Sequence, residues 1–289
     1  MDETGFYTAG DGTDIWYGTE GSGPPLVLCD GLACDGFIWT YLIDYLVDDY
    51  TIVRWHYPAH GLSSKPGELS TLRVERFARD LDGVLDALQI EHAALAGHSL
   101  GVEVILEYWD VAPERVAGLI PICGSYQKPL DTLHHTDLLR RAVPYLQQFV
   151  DALPRTAQQL WRRAAESKIS QILGTLTETN AQLMRVRDFE PYLEHVARMD
   201  VQAFVKLLEN IADHSAADIL PTIDVPALII AGEHDTFTPR FLSEEMAESI
   251  KKSELIVVPG GTHVSPLEAP DLVNGEIEDF LDTLDFRTT

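Results

Sequence analysis

The stretch Ala93-Ala94-Leu95-Ala96-Gly97-His98-Ser99-Leu100-Gly101 carries an apolar run of strand length into the pattern G-x-S-x-G, and a helical pattern from Val102 to Trp109 follows at once. A strand that meets a helix in so few residues requires a tight turn, and Ser99 lies at its apex. Glycines at 97 and 101 remove the side chains that would collide there. The reading is a nucleophile elbow, in which Ser99 Oγ is raised above a sheet edge. The first N–H groups of the new helix, Leu100 N–H among them, point at the place where negative charge would develop. G-x-S-x-G also arises by chance in turns, but here strand and helix stand on the sides the chemistry needs.

A serine hydroxyl is a poor nucleophile at neutral pH, so this reading requires a histidine base and a carboxylate to orient it. Both follow downstream. The run Ala227 to Ala231 leads into Gly232-Glu233-His234-Asp235-Thr236-Phe237-Thr238-Pro239, and Leu255 to Val258 leads into Gly260-Gly261-Thr262-His263. Each segment places its residue, Asp235 or His263, in a loop beyond a strand. Open α/β sheets bind ligands at the carboxyl edge of their strands, so Ser99, Asp235 and His263 are expected on one side of the sheet, in the chain order Ser, Asp, His.

Further strands read outward from the elbow as short Val, Ile and Leu runs between helical segments: Leu26 to Cys29, Tyr50 to Trp55 and Val116 to Ile122. Residues 6 to 17 alternate around Asp11-Gly12, with Phe6, Thr8, Ile15 and Tyr17 spaced by two, as a β-hairpin requires. Phe77, Leu81, Val84, Leu85 and Leu88 form one helical stripe, and Phe241 to Ile250 and Leu272 to Leu284 are similar. This alternation implies a mostly parallel sheet with helices on both faces. Between about Lys128 and Leu220 the strand signal gives way to helical periodicity, at Leu139, Val143, Leu146, Val150 and Leu153 and again at Ile169, Ile172, Leu173 and Leu176. Residues 128–220 are therefore an all-helical insertion, with 1–127 and 221–289 forming the α/β part.

The chain of 289 residues carries 46 Asp and Glu against 21 Lys and Arg, a net charge of −25, and only six of the positive residues are Lys. Such acidity argues against nucleic acid and anionic membranes as partners, because those need basic faces. The insertion holds 11 positive and 12 negative residues, leaving 10 against 34 elsewhere, so the α/β part carries the acidity. Hydrophobic content of 45% suffices for a packed core. No apolar run approaches the ~20 residues of a membrane helix. The start, Met1-Asp2-Glu3-Thr4, lacks the basic and apolar regions of a signal peptide, so a cytoplasmic location is expected. Three cysteines, Cys29, Cys34 and Cys123, with no C-x-x-C pair, argue against a disulfide framework or zinc site, and reduced thiols are expected.

The chain resembles the α/β-hydrolase superfamily, in the branch with a helical cap after the sixth strand. Four motifs carry the resemblance: the elbow at Ser99; G-E-H-D with Pro239 following; G-x-H with Glu268 and Pro270 beyond; and Leu28-Cys29-Asp30-Gly31-Leu32. It implies an eight-stranded, mostly parallel sheet with helices on both faces plus the cap, a Ser99–His263–Asp235 triad and no cofactor. It also implies an oxyanion hole made by the backbone N–H groups of Leu32 and Leu100. Two positions depart from the family pattern. Asp30 stands where relatives usually have His, and a carboxylate there opposes an oxyanion unless it is paired or turned away. Val102 stands where many have a third glycine, which bears on helix packing.

The resemblance implies hydrolysis of a small-molecule carboxylic ester of short to medium chain; thioester or C–C bond hydrolysis uses the same triad, and cofactor-free haloperoxidase or perhydrolase chemistry is a further option. A receptor that does not turn over its ligand is the alternative of another class, against which the complete triad argues. A Ser at the elbow argues against dehalogenase and epoxide hydrolase chemistry, which use a carboxylate there. His56 and His60 have metal-like spacing, yet Pro58 prevents a regular helix between them and no third ligand is near, so no metal is expected. The same stretch matches the family loop Asp-x-x-G-x-G-x-S, with His56 at the Asp and Ser63 at the Ser. His98 reads as structural; His234 lacks the separate loop expected of a base; and His134, His135, His195 and His214, within the insertion, read as surface or pocket lining. Glu103, one helical turn past Ser99, reads as buried or paired. Leu153, Trp161, Leu173, Phe189 and Phe204 fit equally a pocket roof and a core internal to the insertion.

Overall fold

The computed structural model describes residues 1–132, 136–165, 167, 180, 183–184 and 188–286. Eight strands form one sheet: β1 (Glu3–Thr8), β2 (Asp14–Glu20), β3 (Pro25–Cys29), β4 (Thr51–Trp55), β5 (Ala93–His98), β6 (Val116–Ile122), β7 (Ala227–Gly232) and β8 (Ser253–Val258). Their order is β1-β2-β4-β3-β5-β6-β7-β8. β1 pairs antiparallel with β2, and β2 antiparallel with β4; every other pairing is parallel. The parallel strands therefore all end at the same edge.

Alternation along each strand divides the core in two. Val27, Cys29, Val53, Leu95, Leu119 and Ile229 face one layer, which holds helices α2 (Val74–Ala87) and α3 (Leu100–Val111). Leu26, Leu28, Ile52, Ala96, Ile120 and Ile230 face the other, with α1 (Thr40–Leu46). Nearly all of these strand side chains are fully buried, and each such Val, Leu or Ile contributes about 1.5–3 kcal/mol of transfer free energy. In the hairpin the register sets Phe6 opposite Trp16 and Tyr7 opposite Ile15. Ile15 and Tyr17 thus turn inward while Phe6 stays exposed, so the even spacing in the sequence belongs to two different faces.

Between β6 and β7 the described elements are all helical: α4 (Pro129–Thr132), α5 (Leu138–Ala152), α6 (Pro154–Ala165), α7 (Glu190–Arg198) and α8 (Val201–Ile211). After β7 come α9 (Arg240–Ser249), α10 (Ser265–Glu268) and α11 (Pro270–Asp282). In the α5 stripe Val143 and Val150 are buried, whereas Leu146 and Leu153 are exposed. His134, His135, Ile169, Ile172, Leu173 and Leu176 lie outside the described residues. Among the described residues no helix is long and apolar enough to cross a membrane.

Candidate active site

Ser99 joins β5 to α3 with φ 55° and ψ −116°, a region that costs a non-glycine residue of order 1–3 kcal/mol. The surroundings hold it there: Ser99 N–H donates to the Ile122 carbonyl at 3.1 Å, and Val102 N–H to the Ser99 carbonyl at 3.0 Å. A Cβ on Gly97 would stand 2.3 Å from the Gly101 carbonyl oxygen, and one on Gly101 would stand 2.1 Å from that of Cys29. Both glycines are thus needed for close backbone approach. Val102 occupies space that Gly124 leaves open, since a Cβ at 124 would lie 2.2 Å from Val102 Cγ2.

Because β5, β7 and β8 run parallel, the loops that follow them meet at one edge. Ser99 Oγ lies 3.0 Å from His263 Nε2, and His263 Nδ1 lies 2.9 Å from Asp235 Oδ2. Asp235 is buried and also accepts hydrogen bonds from Phe237 N–H, Thr238 N–H and Thr238 Oγ1 at 2.8–2.9 Å. Burial alone would raise its carboxyl pKa, but the His263 ring and these donors outweigh it and hold Asp235 below the usual carboxylate range. A carboxylate so held favours a proton on His263 Nδ1, leaving Nε2 free to accept one from Ser99.

Several supports were not legible as such. His98 Nε2 contacts the His263 carbonyl at 2.8 Å, a contact in which the ring N–H donates, so the residue before Ser99 anchors the loop that carries the imidazole. Burial, with the neighbouring His263, lowers the His98 pKa to about 3 and keeps it neutral. Phe237 stacks on the His263 ring at 5.0 Å. Glu268 accepts from Thr262 N–H and Thr262 Oγ1, which fixes the residue before His263.

The loop after β3 is held from beneath. Ala33, at φ 57°, donates its N–H to His60 Nε2 at 3.2 Å, and His60 Nδ1 faces the Pro58 carbonyl. His56 Nδ1 accepts from Leu62 N–H, and Ser63 Oγ donates to the His56 carbonyl, so the matched loop closes on itself. Both rings are neutral, burial lowering His56 to about 3 and His60 to about 4. Among the described residues no group of three His, Cys, Asp or Glu is arranged to hold a metal. Asp30 accepts one hydrogen bond, from Trp39 Nε1 to its Oδ1 at 2.8 Å. Burial raises its pKa to about 7 against that hydrogen bond and the nearby Arg54 charge. The three cysteines are buried and none is in a disulfide.

Ser99 lines two cavities. One, of about 220 Å³, is walled mainly by apolar side chains such as Leu130, Phe204 and Leu208, with Leu32, Leu100 and Glu103 also lining it. The other, of about 110 Å³, includes His263, His98, Phe37 and Phe189. A larger cavity of about 530 Å³, near Arg54, His56 and His195, is not lined by Ser99, His263 or Asp235. His195 contacts Asp35 at 3.2 Å, and His214 lies between Glu75 and Glu107; neither reaches Ser99. Phe204 and Phe189 line the cavities, whereas Trp161 packs on Phe204 and donates to the Val196 carbonyl within the helical layer. Leu153 is half exposed. Glu103 is buried, as its position suggests, but among the described residues neither carboxyl oxygen has a hydrogen-bond partner.

An eight-stranded sheet whose elbow serine meets a histidine and an aspartate at its carboxyl edge defines a class of proteins, and comparison agrees with it. The family model described as alpha/beta hydrolase fold matches residues 24–270. The chain is 26% identical over 279 residues to the provisionally named carbamate hydrolase RutD of Azorhizobium caulinodans, covering 96% of this chain and 99% of that one. It is 25% identical to 3-oxoadipate enol-lactonase 2 of Acinetobacter baylyi, covering 88% and 87%. Among solved structures, a thermophilic esterase from Thermogutta terrifontis superposes with a TM-score of 0.80 at 21% identity, covering 97% and 98%. The chain belongs to the alpha/beta hydrolase fold family.

Proposed function

We propose that the protein is a serine hydrolase that cleaves carboxylic esters through an acyl-enzyme. The observation that carries this reading is the hydrogen-bonded chain Ser99 Oγ, His263 Nε2, His263 Nδ1, Asp235 Oδ2. His263 takes the Ser99 proton as Oγ attacks the ester carbonyl, and Asp235 holds the imidazolium that forms. Leu32 and Leu100 N–H groups stabilise the oxyanion. His263 then gives the proton to the departing alcohol, and a water activated by the same ring releases the acid. The residues 128–220 act as a lid over Ser99.

The two cavities divide the substrate. The leaving group must touch the general acid, so it belongs in the 110 Å³ cavity that includes His263. The acyl group takes the 220 Å³ cavity, which lacks His263. A cavity of about 150 Å³ holds a benzene-sized guest, so this one suits a short to medium acyl chain. Ser99→Ala is expected to lower kcat/KM for p-nitrophenyl butyrate by several orders of magnitude, and a fluorophosphonate probe is expected to label the wild type at Ser99 only. Undiminished turnover in that variant, or a wild type that neither turns over esters nor takes the probe, overturns the reading; the second result favours a ligand receptor.

A further inference from the structure

The acyl cavity is apolar except at a few places. Among its polar residues, Ser99, Ser125 and Thr238 are hydrogen-bonded within the protein: Ser99 to His263, Ser125 to Gln127 and Thr238 to Asp235; Tyr192, which also lines it, has a partner too. Glu103 differs. It belongs to the same wall, is 1% exposed, and both its carboxyl oxygens are buried with no hydrogen-bond partner among the described residues. A carboxyl group left unpaired in the interior costs stability, which a Leu or Met at the same place would not. Its electrostatic neighbours offer no cation: Glu107 and Glu75 stand nearby, with His214 Nε2 3.6 Å from Glu107 and His214 Nδ1 3.9 Å from Glu75. Burial, reinforced by those two acids, raises the Glu103 pKa well above its ordinary value and keeps it protonated, while burial lowers that of His214 and keeps it neutral. A neutral carboxyl offers one O–H donor and an acceptor oxygen.

We propose that Glu103 is a specificity-determining residue of the acyl cavity, whose carboxyl group hydrogen-bonds an uncharged oxygen carried by the acyl chain of the substrate. The inference rests on the ester-hydrolase reading of Ser99 and deepens it by naming a substrate class: oxo, alkoxy or hydroxy acyl groups. Glu103 stands four residues beyond Ser99, one helical turn along α3, so oxygens a few carbons from the ester carbonyl are the ones to compare.

The test uses pairs of p-nitrophenyl esters that differ only by a carbonyl oxygen in place of a methyl group: 4-oxopentanoate against 4-methylpentanoate, and 5-oxohexanoate against 5-methylhexanoate. For wild-type protein we expect at least one oxo ester to exceed its methyl partner in kcat/KM by about fivefold to tenfold, the scale of one hydrogen bond to an otherwise unpaired buried group. Glu103→Gln keeps the preference, since the amide still donates. Glu103→Leu inverts it in favour of the methyl esters and raises the melting temperature, because the unpaired carboxyl is gone. A purely structural Glu103 gives the opposite pattern, in which Glu103→Leu destabilises the fold and slows both members of each pair alike.

Methyl esters that match or exceed both oxo esters in the wild type overturn the inference without any variant being needed, and so does preference for a 4-(trimethylammonio)butanoyl ester, which would mark Glu103 as an ionised partner for a cation. Either result leaves the triad reading standing. If no ester is turned over and the fluorophosphonate probe does not react, the underlying reading fails first, and the inference with it.

Discussion

The α/β part and the helices between β6 and β7 are built on different terms. In the first, the central strands β5, β6 and β7 are buried on both faces of a single sheet, and Ser99, Asp235 and His263 are each fixed by backbone or side-chain hydrogen bonds from several directions. In the second, a satellite core among the described residues consists of Val150, Ala157, Val201 and Val205 with Trp161 and Phe204 against them, and α5 leaves Tyr145, Leu146 and Phe149 exposed. Charge divides the same way, 34 of the 46 acidic residues lying outside 128–220. The contrast teaches that Ser99, Asp235 and His263 are held by the sheet and its loops, while the described helices between β6 and β7 supply apolar walls to the cavity beside them.

That division can be tested by striking each side in turn. Asp235→Asn is expected to have the largest effect, about 10³–10⁴-fold in kcat, because the amide presents His263 with the wrong hydrogen-bonding partner while leaving the fold intact; steady-state kinetics together with an unchanged melting curve checks it. Phe204→Ala, in the helical layer, is expected to raise KM for butyrate esters by about tenfold with kcat changed far less, as removal of uniform binding does. A kcat loss comparable to that of Asp235→Asn would erase the distinction.

Asp30 lies on the boundary between the two kinds of effect. Its pKa is raised to about 7, so as pH rises through that value a carboxylate forms beside the oxyanion loop. Activity is expected to fall severalfold between pH 7 and 9, and Asp30→Asn to flatten that limb. The stability sign is fixed by the same shift. The folded state holds the proton over a range in which the unfolded chain, at an ordinary value of 3.8, has lost it. Wild-type stability from this group therefore declines from about pH 4 to about pH 7, and denaturant melts of wild type and Asp30→Asn should diverge across that window. The smallest effect concerns the acidic surface: added KCl is expected to raise the melting temperature by a few degrees through screening of self-repulsion. A steady fall with KCl would count against it.

Most of the sheet was legible because buried parallel strands are short continuous apolar runs, and β3 to β8 each match one such run within a few residues. Ser99, Asp235 and His263 were legible because each follows a strand and the parallel topology brings the strand ends together. What the sequence did not disclose depends on contacts between distant segments. His98 binding a carbonyl 165 residues away, His60 supporting Ala33, and Phe237 lying flat on His263 leave no spacing signature. The state of Glu103 was half legible. A carboxylate one turn into a core helix announces burial, but the want of a partner follows only from which side chains the sheet and the helical layer bring near it.

The anchoring of His263 by His98 has a consequence for how many protons the site can exchange. The two imidazole rings stand 5.0 Å apart, close enough that a shared change of charge would blur both titrations. Burial holds His98 neutral down to about pH 3, so this ring takes up no proton of its own in the range where proteins work. The anchor therefore adds no ionisation of its own to the acid side of a pH–rate profile.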